Sequence, residues 1–291
     1  MASMRDIKRR RGSIQSTQQI TKAMKLVSTV KLQKARGRAE SSKPYFDCMY
    51  QTMVSVLGRM ENPDHPYLKD TGSDQIGIVA VTSNRGLAGG YNSNVIKLIA
   101  GGEFPKDKVK IYAVGSKGAE SLSHKGYEIV RDFSDIIDEP AYGDARAVAE
   151  TLLKDYTDGK IGSIYLAYTV FKNTVSHIPT FMKLLPLSAE DAAKDEAVSG
   201  KIAEENTLME FEPNEEEVID LLIPKYLTSI LFGAFVESAA SENGARMQAM
   251  DSATSNAEEM IESLGLMYNR ARQGAITQEL TEIIAGADAL N

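Results

Sequence analysis

Residues 225–286 constrain this chain more than any other stretch. They run for roughly sixty positions without a proline, and methionine, alanine, leucine and glutamate recur at helical spacing. As one helix, the stretch is about 90 Å long at ~1.5 Å per residue, a rod that no ordinary globular domain of this size needs. Asn243, Met250, Ala257, Leu264 and Ala271 fall seven apart, with Ala253, Met260, Met267 and Ala275 offset as a second seam. That spacing fits a coiled-coil-like face, although its small and polar members make a weak zipper. The competing reading is a set of shorter helices broken at Gly233, Gly244, Gly265 or Gly274.

A rod needs a mate. Residues 3–60 read as a second long helix, with Pro44 as a kink or local break. Ile7, Ile14, Thr21, Ser28 and Ala35 again fall seven apart, with Met24 and Leu32 near the same face. Two helices from opposite ends of the chain, paired antiparallel, form a shaft, and the residues between them form a head. The organisation expected is a coiled-coil helix over 1–60, a linker over 61–74, a central α/β domain over 75–187, an acidic connection over 188–212 and a second coiled-coil helix over 213–291. Pro213 and Pro224 read as early-helix or boundary positions.

Net charge is −7, but the average hides a polarity. Residues 1–43 hold twelve Lys or Arg against Asp6 and Glu40, a local +10 that leaves −17 for the remainder. Such a basic helix could bind nucleic acid, lie on a membrane surface, enter an acidic protein socket or simply be solvated. No zinc finger, helix-turn-helix or aromatic stacking platform accompanies it, and its opposite face lacks bulky Phe, Trp and Leu. No run is expected to approach bilayer-spanning length, and the N-terminus lacks a secretory-signal pattern, so a soluble or peripheral protein is expected. Cys48 is the only cysteine, which excludes an internal disulfide and suits a reducing compartment.

The middle of the chain changes grammar. Strands are expected at 75–82, 110–114, from 127 and at 163–169, with an extended stretch at 176–187. Helices at 91–100, 116–124 and 142–156 alternate with them, which predicts an α/β, Rossmann-like domain with a mainly parallel sheet. After the first strand comes Thr82-Ser83-Asn84-Arg85-Gly86-Leu87-Ala88-Gly89-Gly90-Tyr91-Asn92, where a phosphate or dinucleotide could sit. The loop matches neither GxGxxG nor the P-loop pattern, so a structural or protein-contact loop is the alternative, and Arg85 suits either. His65, His124 and His177 occur singly and read as turn or surface residues rather than metal ligands. Asp251, Glu258, Glu259 and Glu262 read as a solvated helix face. No catalytic, cofactor or metal site is expected.

Four blocks in order carry a resemblance. They are Gln18-Gln19-Ile20-Thr21-Lys22-Ala23-Met24-Lys25 within 14–28, Ser83-Asn84-Arg85-Gly86-Leu87 within 83–90, Arg246-Met247-Gln248-Ala249-Met250-Asp251 within 246–257, and Thr277-Gln278-Glu279-Leu280-Thr281-Glu282 within 276–289. Together they resemble the gamma subunit family of F-type ATP synthases over almost the full length, with the region around 188–215 the least distinctive. The resemblance implies a long antiparallel coiled coil from the terminal helices plus the central α/β domain. It implies a central rotor shaft that couples ion-driven rotation of a c-subunit ring to ATP synthesis or hydrolysis in a surrounding hexamer, with no active site of its own. The partners it implies are three alpha and three beta subunits per copy, epsilon and the c ring, at the cytoplasmic face of a cell membrane, with no nucleic acid and no direct membrane span. As rotor–stator contact or coupling residues it implies Met24 and Lys25 on the first helix, Arg246, Gln273, Thr277 and Glu279 on the last, and electrostatic contacts from Arg9 and Arg10. Ala88 departs from members that carry cysteine in the glycine loop, and no cysteine pair like that of the chloroplast relatives is present, so thiol regulation is not expected. An unrelated α/β adaptor or nucleotide-responsive scaffold whose helical termini grip a partner is the alternative.

Overall fold

The computed structural model describes residues 3–59, 65–69, 72–102, 104–187, 211–212 and 214–288. In chain order the described elements are α1 (Met4–Leu57), β1 (Ile76–Val81), α2 (Tyr91–Ala100), β2 (Val109–Val114), α3 (Ser116–His124), β3 (Glu128–Asp132), α4 (Tyr142–Thr157), β4 (Ser163–Phe171), β5 (His177–Leu185) and α5 (Glu215–Asp288). The acidic stretch expected as a connection lies, over 188–210 and at Pro213, outside the described residues.

Both terminal helices are continuous. Pro44 sits inside α1 and does not break it, at an exposed position where the carbonyl freed one turn earlier can bind water. The start of α5 is fixed by Asn214, whose side-chain oxygen accepts the Glu217 amide at 2.9 Å while its Nδ2 donates to the Glu217 carboxylate at 3.0 Å. Asn214 is thus the N-cap, held by the Glu217 side chain, and Glu215, Glu216 and Glu217 complement the helix dipole. The boundary reading of Pro224 is therefore corrected: it lies well inside α5, where its own carbonyl accepts the Thr228 hydroxyl at 2.7 Å.

The chain divides into two compact units, Met1–Thr29 with Arg246–Asn291, and Val30–Ala245. In the first, α1 and α5 pair antiparallel. Thr21 meets Thr254 through their hydroxyls at 2.8 Å, Lys25 Nζ reaches Asp251 at 2.5 Å, and Gln18 Nε2 donates to Glu258 at 2.9 Å. Ile7, Thr21 and Ser28 are buried on α1, and Met250, Ala257 and Leu264 on α5, so the seven-residue seams of both helices are the contact faces. Of the second seam expected on α5, Ala253 is half-buried, but the rest is corrected: Met260, Met267 and Ala275 are exposed, and the half-buried flank continues through Thr254, Ile261 and Tyr268, four residues after each seam member. Arg11 completes that flank, with its guanidinium 5.8 Å from the Tyr268 ring centre.

The second unit holds a five-stranded sheet in the order β3-β2-β1-β4-β5, parallel except for β5, which pairs antiparallel with β4. Side chains alternate between its faces. Val79, Val81, Tyr112, Val114, Ile164 and Leu166 join a core with α4, α5 and the end of α1, while Ile78, Ala80, Ile111, Ala113 and Ala167 pack under α2 and α3. The expectation that no run approaches bilayer-spanning length is also corrected. α5 contains an 18-residue window long and apolar enough to cross a membrane, but half of that window is buried inside the protein. Ile219, Ile223, Leu227, Leu231 and Phe235 spend their apolar surface on the sheet core, which accounts for the composition.

Candidate functional site

The glycine-rich loop follows β1, at the point in the strand order where a doubly wound fold binds ligands. Its polar groups are already used. The first three amides of α3 are all taken by the start of the loop: Ser116 by Asn84 Oδ1 at 3.0 Å, Lys117 by the Ser83 carbonyl at 3.1 Å and Gly118 by Thr82 Oγ1 at 2.9 Å. The positive end of α3, which could otherwise hold a phosphate, is thus capped by protein. Thr82 also donates to the Gly115 carbonyl at 3.0 Å, and a Cβ on Gly115 or Gly118 would collide with Thr82, so both glycines are required for this close approach. On the other side Asn92 Oδ1 accepts the Ser83 amide at 2.9 Å, and Asn84 Nδ2 ties the loop to the Ser134 carbonyl at 2.7 Å. The geometry favours the structural reading of this loop. Its tip presents Leu87, exposed and with φ +64°, to solvent.

His65 opens a turn, as expected, its carbonyl accepting the Leu68 amide at 2.9 Å, but its side chain is buried rather than on the surface, with Nδ1 accepting the Tyr67 amide and Nε2 facing Asp220 at 3.1 Å. Those partners assign it the tautomer protonated at Nε2. His124 is exposed at the end of α3, and His177 opens β5 half-buried. Among the described residues no group of His, Cys, Asp or Glu could hold a metal ion, and Cys48 is an exposed free thiol.

The candidate contact residues fall into two sets. Lys25 and Met24 lie half-buried beside the α1–α5 seam, with Lys25 paired to Asp251. Arg246 is half-buried on α5, at the start of its share of the first unit. Arg9 and Arg10 are exposed on α1, Arg9 3.4 Å from Asp6. Gln273, Thr277 and Glu279 are exposed on the last turns of α5. These residues do not converge on one pocket; they line helix surfaces. Asp251 and Glu258, read as a merely solvated face, in fact bridge to α1.

Sequence reasoning missed the apolar half of this surface. Ile20, Leu26 and Val27 on α1 and Leu266, Ile276, Leu280, Ile283 and Ile284 on α5 are all about half exposed or more. After Ala271 every described position is exposed. The available signal was that these large residues lie off the seven-residue seams, where a two-helix coil has no partner to offer them. In the second unit, α1 carries its basic character onto the α/β domain, where Lys34 Nζ meets Glu139 at 2.7 Å and holds that carboxyl below its usual range. A groove of about 520 Å³ also opens there, with Met49, Leu153 and Pro224 among its apolar lining and the Arg146–Glu150 ion pair among its charged groups.

Comparison with known proteins gives this surface its context. A family model described as ATP synthase matches residues 3–290. The ATP synthase gamma chain of Lachnoclostridium phytofermentans is 57% identical over 291 residues, all of both chains. That of Alkaliphilus metalliredigens is 42% identical over 99% of this chain and 98% of its own. Among solved structures, a chain of the Euglena gracilis mitochondrial ATP synthase, in a structure of its OSCP, F1 and c-ring parts, superposes with TM-score 0.69. It is 20% identical and covers 99% of this chain and 94% of that one, a likeness of fold. With a family match across nearly the whole sequence and full-length identity above half to a named gamma chain, this chain belongs to the gamma-chain family of ATP synthase.

Proposed function

We propose that the chain acts as the central rotor shaft of a bacterial F-type ATP synthase, seated in a hexamer of three alpha and three beta subunits and joined at its α/β domain to epsilon and the c ring. Rotation of the ring turns the shaft, and the unequal faces of α1 and α5 favour a different conformation in each surrounding beta subunit. Nucleotide chemistry belongs to those neighbours, in keeping with a glycine loop whose acceptors occupy the first amides of α3. Within that complex the chain is a peripheral subunit at the cytoplasmic face of the membrane.

One observation carries this reading. The end of α5 is a single exposed helix studded with Ile276, Leu280, Ile283 and Ile284. A run of large exposed apolar side chains on one helix marks a surface that another protein covers. A ring of subunits closing around the tip covers all sides of it at once. Small, polar and basic groups elsewhere on the helices make contacts that form and break as the shaft turns, since exposed ion pairs contribute only about 0–1 kcal/mol. In this reading Arg9, Arg10, Met24, Lys25, Arg246, Gln273, Thr277 and Glu279 are contact or coupling residues, and substitutions at them give graded defects. The test is ATP-driven ion pumping by complexes carrying Arg246→Ala or Glu279→Ala: reduced pumping per ATP supports the roles, and unchanged assembly and pumping in both would show that they have none.

A further inference from the structure

Strand β4 outruns its neighbour. β1 pairs with β4 only as far as Ala80 opposite Ala167, whereas β4 continues to Phe171 with β5 along its other edge. Past Ala167, the edge that β1 has left would carry unpaired backbone groups in a buried place, which chains avoid. Helix α5 takes the vacant position. The Thr169 amide donates to the Ser238 hydroxyl at 3.4 Å, and the Ser241 hydroxyl donates to the Thr169 carbonyl at 3.2 Å, with all three residues buried. Two serines on consecutive turns therefore satisfy both backbone groups of one strand residue.

Three residues further on, the same ridge of α5 carries Gly244, which is buried. A Cβ there would stand 2.7 Å from His177 Cε1 and 3.2 Å from Nε2. The His177 ring is thus seated in a notch that only glycine leaves open. His177 pairs with Phe171 across the β4–β5 ladder, and their ring centres are 6.0 Å apart. Burial holds this imidazole below its usual range, with the Thr174 backbone opposing that shift, and the close fit against Gly244 gives the ring its seat.

We propose that the ridge Ser238, Ser241 and Gly244, set against Thr169 and His177, fixes the rotation and axial position of α5 on the sheet and so passes torque between the α/β domain and that helix. This rests on the shaft reading above. Leu227, Leu231 and Phe235 add apolar contacts of α5 with the sheet core, and apolar burial is non-directional, so it resists sliding or turning weakly. Hydrogen bonds to both groups of one residue, with a ring in a notch two turns from the first, hold one orientation. Ser238, Ser241, Gly244 and His177 are positioning residues.

The test uses complete ATP synthase in inverted membrane vesicles, with ATP hydrolysis and ATP-driven membrane potential measured together. That readout is the same for a proton or a sodium ion. For the paired change Ser238→Ala and Ser241→Ala, and separately for Gly244→Ala, hydrolysis is expected to persist while potential per ATP falls roughly threefold or more, as loss of directional contacts in a positional equilibrium requires. Adding His177→Ala to Gly244→Ala removes the ring that the new methyl meets, and is expected to restore part of the coupling. Proportional loss of hydrolysis and potential, equal melting-temperature loss without any coupling defect, or failure of His177→Ala to relieve Gly244→Ala would overturn the proposal. A wild-type complex whose potential does not depend on this chain would instead remove the shaft reading itself.

Discussion

Thr82 is the buried centre of the glycine loop, and replacing it tests whether that loop is structural. Its hydroxyl accepts the Gly118 amide at 2.9 Å and donates to the Gly115 carbonyl at 3.0 Å, with no exposed surface. Thr82→Val keeps the shape and leaves the Gly118 amide unpaired in the interior, whereas the Gly115 carbonyl keeps the Ala119 amide at 3.3 Å. An unsatisfied buried group costs about 1–3 kcal/mol, and the Gly118 amide is the group that loses its partner. For a unit of this size, ~1 kcal/mol moves the melting temperature by about 2–4 °C, so a fall of roughly 2–12 °C is expected in calorimetry of the purified chain. Thr82→Ser keeps the hydroxyl and loses one methyl, a change of about 1 kcal/mol, and its melting temperature stays close to that of the parent. Equal melting of Thr82→Val and the parent, or Thr82→Ser as damaging as Thr82→Val, would refute the idea that this hydroxyl caps α3.

Burial raises the Glu237 carboxyl above its ordinary value, with Lys43 opposing and Asp47 adding to the shift. A raised carboxylate pKa means that the folded chain holds the proton more tightly, so the charge destabilises the fold at neutral pH and that cost disappears as pH falls through the folded value toward the ordinary one. Glu237→Gln is therefore expected to melt higher than the parent at pH 7, with the advantage shrinking in acid; a constant difference across pH would contradict this. In the coiled coil, Thr21 and Thr254 can each fall back on a carbonyl of their own helix, Gln18 at 3.0 Å and Met250 at 2.7 Å. Single valine replacements at either position are expected to cost less than about 1 kcal/mol in denaturant unfolding, and a loss of several times that would show that the hydroxyl pair is a principal tie. Lys25→Ala breaks an ion pair whose partners are both more than a third exposed, so its melting temperature is expected to stay near the parent's while any effect appears in coupling; a large stability loss would argue for a structural role instead.

The long helices and the alternating strands were legible because their patterns are local. Seven-residue seams mark Met250, Ala257 and Leu264, and apolar runs bounded by glycine mark β1 and β2, whose neighbours in sequence are also neighbours in space. The second seam of α5 was misread because methionines at 260 and 267 fit a three-residue offset by hydrophobicity alone. Only the partner helix decides that Ile261 and Tyr268 turn inward while those methionines stay exposed. Pro224 was misread for a related reason: a proline signals a missing amide, but the Asn214–Glu217 cap upstream and the core around Ile223 and Leu227 outweigh it. The contacts of Thr169 with Ser238 and Ser241 join positions about seventy apart in sequence, and nothing in a serine's immediate neighbours announces a strand edge left open by another strand. The contact residues of the helix surface carried a family pattern, whereas Ile283 and Ile284 lacked any signal beyond lying off the seam.

Reconstitution with purified alpha and beta subunits tests the central claim most directly, with native mass and ATP hydrolysis measured with and without this chain. The shaft account predicts a complex of three alpha, three beta and one copy of this chain, with hydrolysis that depends on its addition. Alpha and beta that remain without a bound copy, or hydrolysis indifferent to it, would contradict the account.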